Sequence, residues 1–377
     1  MAPRNPFKPS AGATPPLLVG RADAIQEFKE SLADGPGAPG RLTIFTGARG
    51  VGKTVMLTEV ANEALQEGWV ALSETATPGL IERLTHAVTR HLHALDPTTA
   101  PGRSVTGVTL PVIGGGVTVS SRPADAVQWR EQVGRLLDVL EANDTGLLIT
   151  VDEVHHKHAR EDLRDLAATF QHLVREDRNV ALAVAGLPMA VSDLLNDDVL
   201  TFLRRANREE LADVPLDDVR DALHTTITTE GRTIDSESLD EAAAATGGYP
   251  FMIQLVGYHI WRKATGTHID LEAVRQGIPA ARKRLGSTVH ATALADLSAV
   301  DRTYLLAMAL DAGPSSTGEI ARRLGESKYY AGQYRLRLID AGVIEPVDRG
   351  YVDFTIPYLR EYLREHAARY QMASRPD

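Results

Sequence analysis

Gly47, Ala48, Arg49, Gly50, Val51, Gly52, Lys53 and Thr54 follow one another in the chain and fit the pattern G-x-x-x-x-G-K-[ST]. Glycines at such spacing let backbone N–H groups curl around a phosphate, and the partial positive charge of a helix N-terminus adds to the attraction. The octapeptide therefore predicts binding of a purine nucleoside triphosphate, ATP or a close analogue. Lys53 is expected to reach the β and γ oxygens, and the Thr54 hydroxyl to ligate Mg²⁺. A second chemical element lies about a hundred residues on, where the apolar run 147–151 ends in Asp152 and Glu153. Two acids can be an ordinary strand terminus, but downstream of a phosphate loop they predict a hydrolytic site. Asp152 would hold the hydration shell of Mg²⁺, and Glu153 would polarise the attacking water as general base.

These residues need strands to carry them. Residues 42–46 form a short apolar run immediately before the glycine loop, and Leu57, Val60, Ala61 and Ala64 mark one face of a helix after it. That is the start of a βα unit. Gly68 ends the helix, residues 69–72 read as a second strand, and helical patterns follow around 80–92 and 127–140. Buried-type strands are predicted at 146–151 and 180–185, which gives an α/β class with a mostly parallel sheet and helices on both faces. Residues 104–120 read as a β-hairpin insertion with Pro111 at an edge. From about 215 to 285 the pattern is helical with no convincing strand. Helices are then expected at 300–310, 316–324 and 327–341, with a hairpin at 343–355 turning at Asp348, Arg349 and Gly350.

At 377 residues the chain exceeds one comfortable core. We expect four parts: an N-terminal arm at 1–40, an ATPase core at 41–212, a helical lid at 213–285 and a C-terminal module at 286–377. Hydrophobic residues make up 43% and charged residues 24%, which fits a globular chain and excludes a wholly disordered one. No run of 18 apolar residues occurs, so a soluble, cytoplasmic protein without membrane attachment is expected. The absence of cysteine excludes disulfides, thiolate metal sites and cysteine nucleophiles. A net charge of −10 argues against general nucleic-acid coating. Residues 281–377 nonetheless hold 14 basic and 12 acidic residues, so cationic surface is concentrated at the C-terminal end. His155, His156 and His158 lack the spacing of a zinc site and read as solvated.

With the two acidic and glycine elements in place, the chain resembles the AAA+ and signal-transduction ATPase superfamily of P-loop NTPases, in particular bacterial and archaeal ATPases related to origin-recognition initiators. The glycine loop stands as Walker A and the strand ending in Asp152 and Glu153 as Walker B. Leu18, Val19, Gly20 and Arg21 resemble the box before the phosphate loop. By resemblance, Val19, Gly20 and Arg21 would line the adenine pocket. Leu203, Arg204, Arg205 and Ala206 resemble the segment with the arginine finger, which implies that Arg205, or Arg204 in its place, completes a neighbouring subunit's site in a homo-oligomer. A solvated helix end bearing Arg204, Arg205 and Arg208 is the competing reading. Strand 180–186 ends in Ala185 and Gly186 where the family usually carries a polar sensor. Gly248, Tyr249 and Pro250 stand where initiators carry a sensor arginine. Their Gly-x-Pro form resembles the lid of signal-transduction ATPases, whose proline packs on the nucleotide, and implies a slow switch.

Residues 316–341 have helix-turn-helix spacing, and with the hairpin they predict a winged helix. Ser316 and Glu319 are expected to form a capping box. Lys328, Gln333 and Arg335 on the second helix, with Arg349 at the wing tip, could meet phosphates and base edges of double-stranded DNA. Leu336, Leu338 and Ile339 read as core. Winged helices also make protein or autoinhibitory contacts. Two classes follow: a DNA-associated ATPase, or a regulatory switch whose winged helix meets an unidentified protein and no DNA.

Overall fold

The computed structural model describes residues 4–10, 12–95, 123–154, 157–197 and 200–370. The predicted hairpin at 104–120 lies outside the described residues, as do His155 and His156. The chain divides into two compact units, residues 21–47 with 53–211, and residues 1–20 with 48–52 and 212–377.

The first unit is a five-stranded parallel sheet: β1 (Leu42–Gly47), β2 (Val70–Thr75), β3 (Leu147–Asp152), β4 (Val180–Gly186) and β5 (Asn207–Leu211), in the spatial order β2-β3-β4-β1-β5. Its helices are α1 (Ala22–Asp34), α2 (Lys53–Gln66), α3 (Leu80–Leu95), α4 (Pro123–Glu141), α5 (Arg160–Arg175) and α6 (Pro188–Leu195). The interior strands read as unbroken apolar runs because both of their faces are covered. All seven residues of β4 are buried, and so are five of the six in β3. One continuous core joins Ile44, Leu72, Leu84, Trp129, Leu137, Ile149, Phe170 and Val184.

Strand β5 is missing from the sequence reading. It lies at the sheet edge, its sequence is Asn-Arg-Glu-Glu-Leu, and only Leu211 is buried. Charged edge strands are a common guard against edge-to-edge association, and they erase the apolar signal by which a strand is recognised. Arg204 and Arg205 are likewise in a 3₁₀ turn (Thr201–Arg205) and Arg208 is in β5, so the three do not share a helix end.

The second unit contains α7 (Leu216–Thr229), α8 (Ser236–Ala244), α9 (Pro250–Lys263) and α10 (Leu271–Leu285). Two short segments, β6 (Thr233–Ile234) and β7 (His268–Ile269), pair in parallel, where the sequence pattern showed only helix. Two residues are too few to leave a periodicity. Helix α9 is buried along most of its length, and the N-terminal arm lies against it. The Asn5 side-chain amide donates to the Tyr258 carbonyl at 3.0 Å, and the Lys8 N–H donates to Gln254 Oε1 at 3.1 Å. Phe7 is buried over Gly257, where an added Cβ would lie 2.3 Å from its ring, so only glycine admits the aromatic side chain.

The unit continues with α11 (Ala291–Ala295), α12 (Ala299–Ala309), β8 (Ser315–Ser316), α13 (Thr317–Leu324), α14 (Lys328–Asp340), β9 (Ile344–Asp348), β10 (Tyr351–Phe354), α15 (Leu359–Glu365) and α16 (Ala367–Tyr370). Strands β8, β10 and β9 form an antiparallel sheet in that order. Tyr304, Leu305, Ile320, Leu338, Val352 and Leu359 share its core. The expected capping box at Ser316 and Glu319 is not formed, since Ser316 makes no side-chain cap bond. Ser316 pairs with Tyr351 in the sheet, and Glu319 is held by Arg322 and Arg323. A capping box stands one helix earlier, with Ser298 and Asp301 bonding reciprocally at the start of α12. Leu336, expected in the core, is 55% exposed, whereas Leu338 is buried.

Candidate active site

Strands β1 and β3 are separated by β4, yet their carboxyl ends are brought together. The Thr54 hydroxyl at the start of α2 donates to Asp152 Oδ2 at 2.5 Å, across 98 residues of sequence. Lys53 Nζ donates to the Gly47 carbonyl at 2.9 Å, which folds the ammonium back over the loop. Asp152 Oδ1 accepts from the Glu153 N–H at 2.7 Å, and Glu153 has φ of 57° with an exposed side chain. A non-glycine residue in this region costs about 1–3 kcal/mol and persists only where its surroundings over-determine it. Here the next residue does so: Val154 is buried and its N–H donates to the Ala185 carbonyl at 3.0 Å.

The same packing explains the missing sensor residue at the end of β4. A Cβ added to Gly186 would lie 2.6 Å from Val154 Cγ2, so a polar side chain has no room there. The hydroxyl and carboxylate pair, Thr54 with Asp152, are hard oxygen donors suited to Mg²⁺, and the adjacent Lys53 ammonium suits phosphate oxygens. Among the described residues no group of three or more His, Asp or Glu could hold a metal by itself, so a metal here would also need ligands from substrate or water.

Arg205 is not near these groups. It precedes β5, whose Asn207 pairs with Thr43 at the start of β1, whereas Gly47 and Asp152 end their strands. A six-residue strand at about 3.3 Å per residue separates the two ends. Exposed Arg205 lines a cleft of about 540 Å³ with Phe170, Arg175, Phe202 and Leu42. Arg204 is tied down by its Nε, which donates to the Leu195 carbonyl at 2.7 Å.

In the second unit, loop residues 48–52 meet the start of α9. Tyr249 is fully buried, and its hydroxyl donates to the Arg49 carbonyl at 2.8 Å. Burial, and secondarily the charge of Asp213, push its phenol well above the ordinary tyrosine range. Gly50 has φ of 77°, and a Cβ there would lie 1.8 Å from the Tyr249 hydroxyl. Pro250 follows at the first turn of α9 and is half-buried. Gly20 approaches Val214 and Asp218, with Val19 half-buried beside it; Arg21 precedes α1 in the other unit.

Sequence reasoning missed Tyr249, although its position between Gly248 and Pro250 was a signal. Gly50→Ala should weaken ATP binding at least about tenfold, because left-handed backbone costs an L-residue about 1–2 kcal/mol and the tyrosine clash adds to it. Calorimetry of Gly50→Ala with Tyr249→Ala should show partial recovery, and a double variant no better than the single would refute the clash.

On α14, Lys328 and Gln333 are exposed, and so is Arg349 at the hairpin turn. Arg335 is half-buried and its Nε finds no partner among the described residues. Arg337 is paired with buried Asp301 at 2.9 Å. The same helix exposes Tyr329 by 78%.

Residues 17–184 match the family described as the AAA ATPase domain, and residues 287–363 match a domain of unknown function, DUF8462. The fold is similar to that of a Walker-type ATPase of Pyrococcus abyssi, with a TM-score of 0.62, 16% identity, and 92% of this chain covering 96% of that one. It is also similar to the ORC2 protein of Aeropyrum pernix in its ADPNP–ADP complexes, with a TM-score of 0.59, 13% identity and coverage of 96% and 98%. No curated protein matches the sequence significantly. At such identities the likeness concerns the fold, which is that of a P-loop NTPase. No helix among the described residues is long and apolar enough to cross a membrane.

Proposed function

We propose that this chain, whose residues 17–184 match the AAA ATPase domain, hydrolyses ATP with Mg²⁺ as a slow switch and passes its nucleotide state to the C-terminal module, which acts on duplex DNA as a winged helix. The observation that carries the reading is the Thr54–Asp152 bond beside Lys53, with Glu153 next in the chain. Backbone N–H groups of 48–54 bind the phosphates, and Lys53 neutralises the β and γ oxygens. Thr54 and Asp152 hold Mg²⁺, which when bound supplies charge neutralisation between the phosphates. Glu153 orients water and accepts its proton. Val19, Gly20, Arg21 and Pro250 line the base. Arg205 completes the site of a second copy, because within its own unit it stands at the wrong end of the sheet.

Exposed Lys328, Gln333 and Arg349 supply the DNA face, with Arg335 behind them. DNA affinity should fall with salt at a log-log slope of about −0.9 per phosphate contacted, and Lys328→Ala should reduce that slope by about 1. A slope near zero would remove DNA from the reading. The exposed Tyr329 and Leu336 favour a second reading in that event, a protein docked on α14.

A further inference from the structure

The tip of the glycine loop is held by more than Tyr249. The Arg49 side chain reaches residues of the C-terminal module. Its Nε donates to the Ala341 carbonyl at the end of α14, at 3.4 Å, and its Nη1 lies 3.9 Å from Asp296 Oδ2. Asp296 closes α11 just before the capping box that starts α12, and Ala341 caps α14. One loop residue thus meets three elements: its carbonyl the start of α9, its guanidinium the α11–α12 junction and the end of α14. Neither contact of the guanidinium is strong by itself. The ion pair is long and its aspartate is 66% exposed, which places it among pairs that contribute little to stability. Weak ties at a loop tip are nevertheless well suited to conformational coupling, because a small shift in the loop is enough to make or break them.

The loop they hold already has the backbone of a phosphate cradle. Gly47, Gly50 and Gly52 have φ of 151°, 77° and 98°. The ring of Tyr249 fills the space beside Gly50 so closely that the loop tip cannot shift toward it without displacing the ring. The bonds from Tyr249 and Arg49 add direction to that packing.

We infer that Tyr249 and Asp296 are positioning residues for the phosphate loop: through the Arg49 carbonyl and guanidinium they pre-organise the cradle, and ATP in the cradle in turn tightens the hold on the end of α14. The inference rests on the ATP-binding reading above. It assigns the route by which the nucleotide state reaches the module carrying Lys328 and Gln333, namely the side chain of a loop residue and not a residue on the γ-phosphate. Reciprocity is required by thermodynamic linkage: whatever the tie adds to ATP affinity, ATP adds to the tie.

The test uses the full chain, with ATP titration by calorimetry and hydrogen exchange of the peptides covering 294–299 and 335–343. In the wild type, ATP should slow exchange in both peptides by about fivefold, a typical coupling factor. Asp296→Ala should weaken ATP binding by a similar factor and abolish the slowing, without changing Tm. Tyr249→Phe keeps the ring and loses the hydroxyl, and should give a partial effect of the same sign. Exchanging the charges, Arg49→Asp with Asp296→Arg, should restore more of the ATP-dependent slowing than Arg49→Asp alone retains; a merely structural role would show no such rescue. Wild-type protein that binds ATP with no change in either peptide overturns the inference while leaving the ATP reading intact. So does Asp296→Ala that responds like the wild type, or a charge exchange without rescue. Absence of ATP binding in the wild type removes both.

Discussion

Glu153→Gln should leave ATP affinity near that of the wild type and lower turnover by about 10²–10⁴-fold, the range over which a positioned general base contributes. The substitution is nearly isosteric, its site is exposed, and the Asp152 carboxylate keeps its bond to the Glu153 backbone N–H whatever the side chain is. The left-handed backbone at this position is set by buried Val154 and its bond to Ala185, so the amide occupies the place of the carboxylate without rearranging the strand end. Binding and chemistry should therefore separate cleanly. Steady-state hydrolysis alongside calorimetry measures both. Unchanged turnover would remove Glu153 as the base, and lost affinity would show that it belongs to binding.

Lys53→Ala should act on binding itself. An ammonium that bonds two phosphate oxygens makes two charge-assisted hydrogen bonds, each worth about 1.5–3 kcal/mol, so affinity should drop by about 10²-fold or more. The fold should tolerate the change, because Lys53 opens α2 and its ammonium donates to the nearby Gly47 carbonyl, within the same loop. Mixing Lys53→Ala with Arg205→Ala protein then tests the role of Arg205. A copy with an intact nucleotide site could borrow Arg205 from its partner, and such mixtures should recover part of the turnover that each variant lacks. No recovery at any protein concentration counts against Arg205 acting between copies.

These two experiments address residues that were legible in the primary structure. The glycine loop is eight consecutive residues, and the acids end an apolar run, so neither depends on a remote partner to be seen. Buried strands were legible for a related reason: β3 and β4 lie inside the sheet, where both faces demand apolar side chains. Edge strand β5 was not, since half-solvated Asn207, Arg208, Glu209 and Glu210 carry no such demand. Ser316 and Glu319 have the spacing of a capping box, but spacing does not say which competing partner wins. Two arginines took the glutamate, and Ser316, drawn into strand β8, makes no side-chain cap bond.

By itself, then, the sequence showed what stands at one end of the sheet: a glycine-rich loop, the hydroxyl and carboxylate of Thr54 and Asp152, and the Glu153 carboxylate beside them. Only the tertiary structure decided what grips that loop. The Tyr249 hydroxyl is 200 residues from the carbonyl it meets, and Arg49 is 292 residues from Ala341. Hydrogen bonds that link such distant residues follow from the packing of whole helices. They leave no period, motif or composition in the chain from which they could be read.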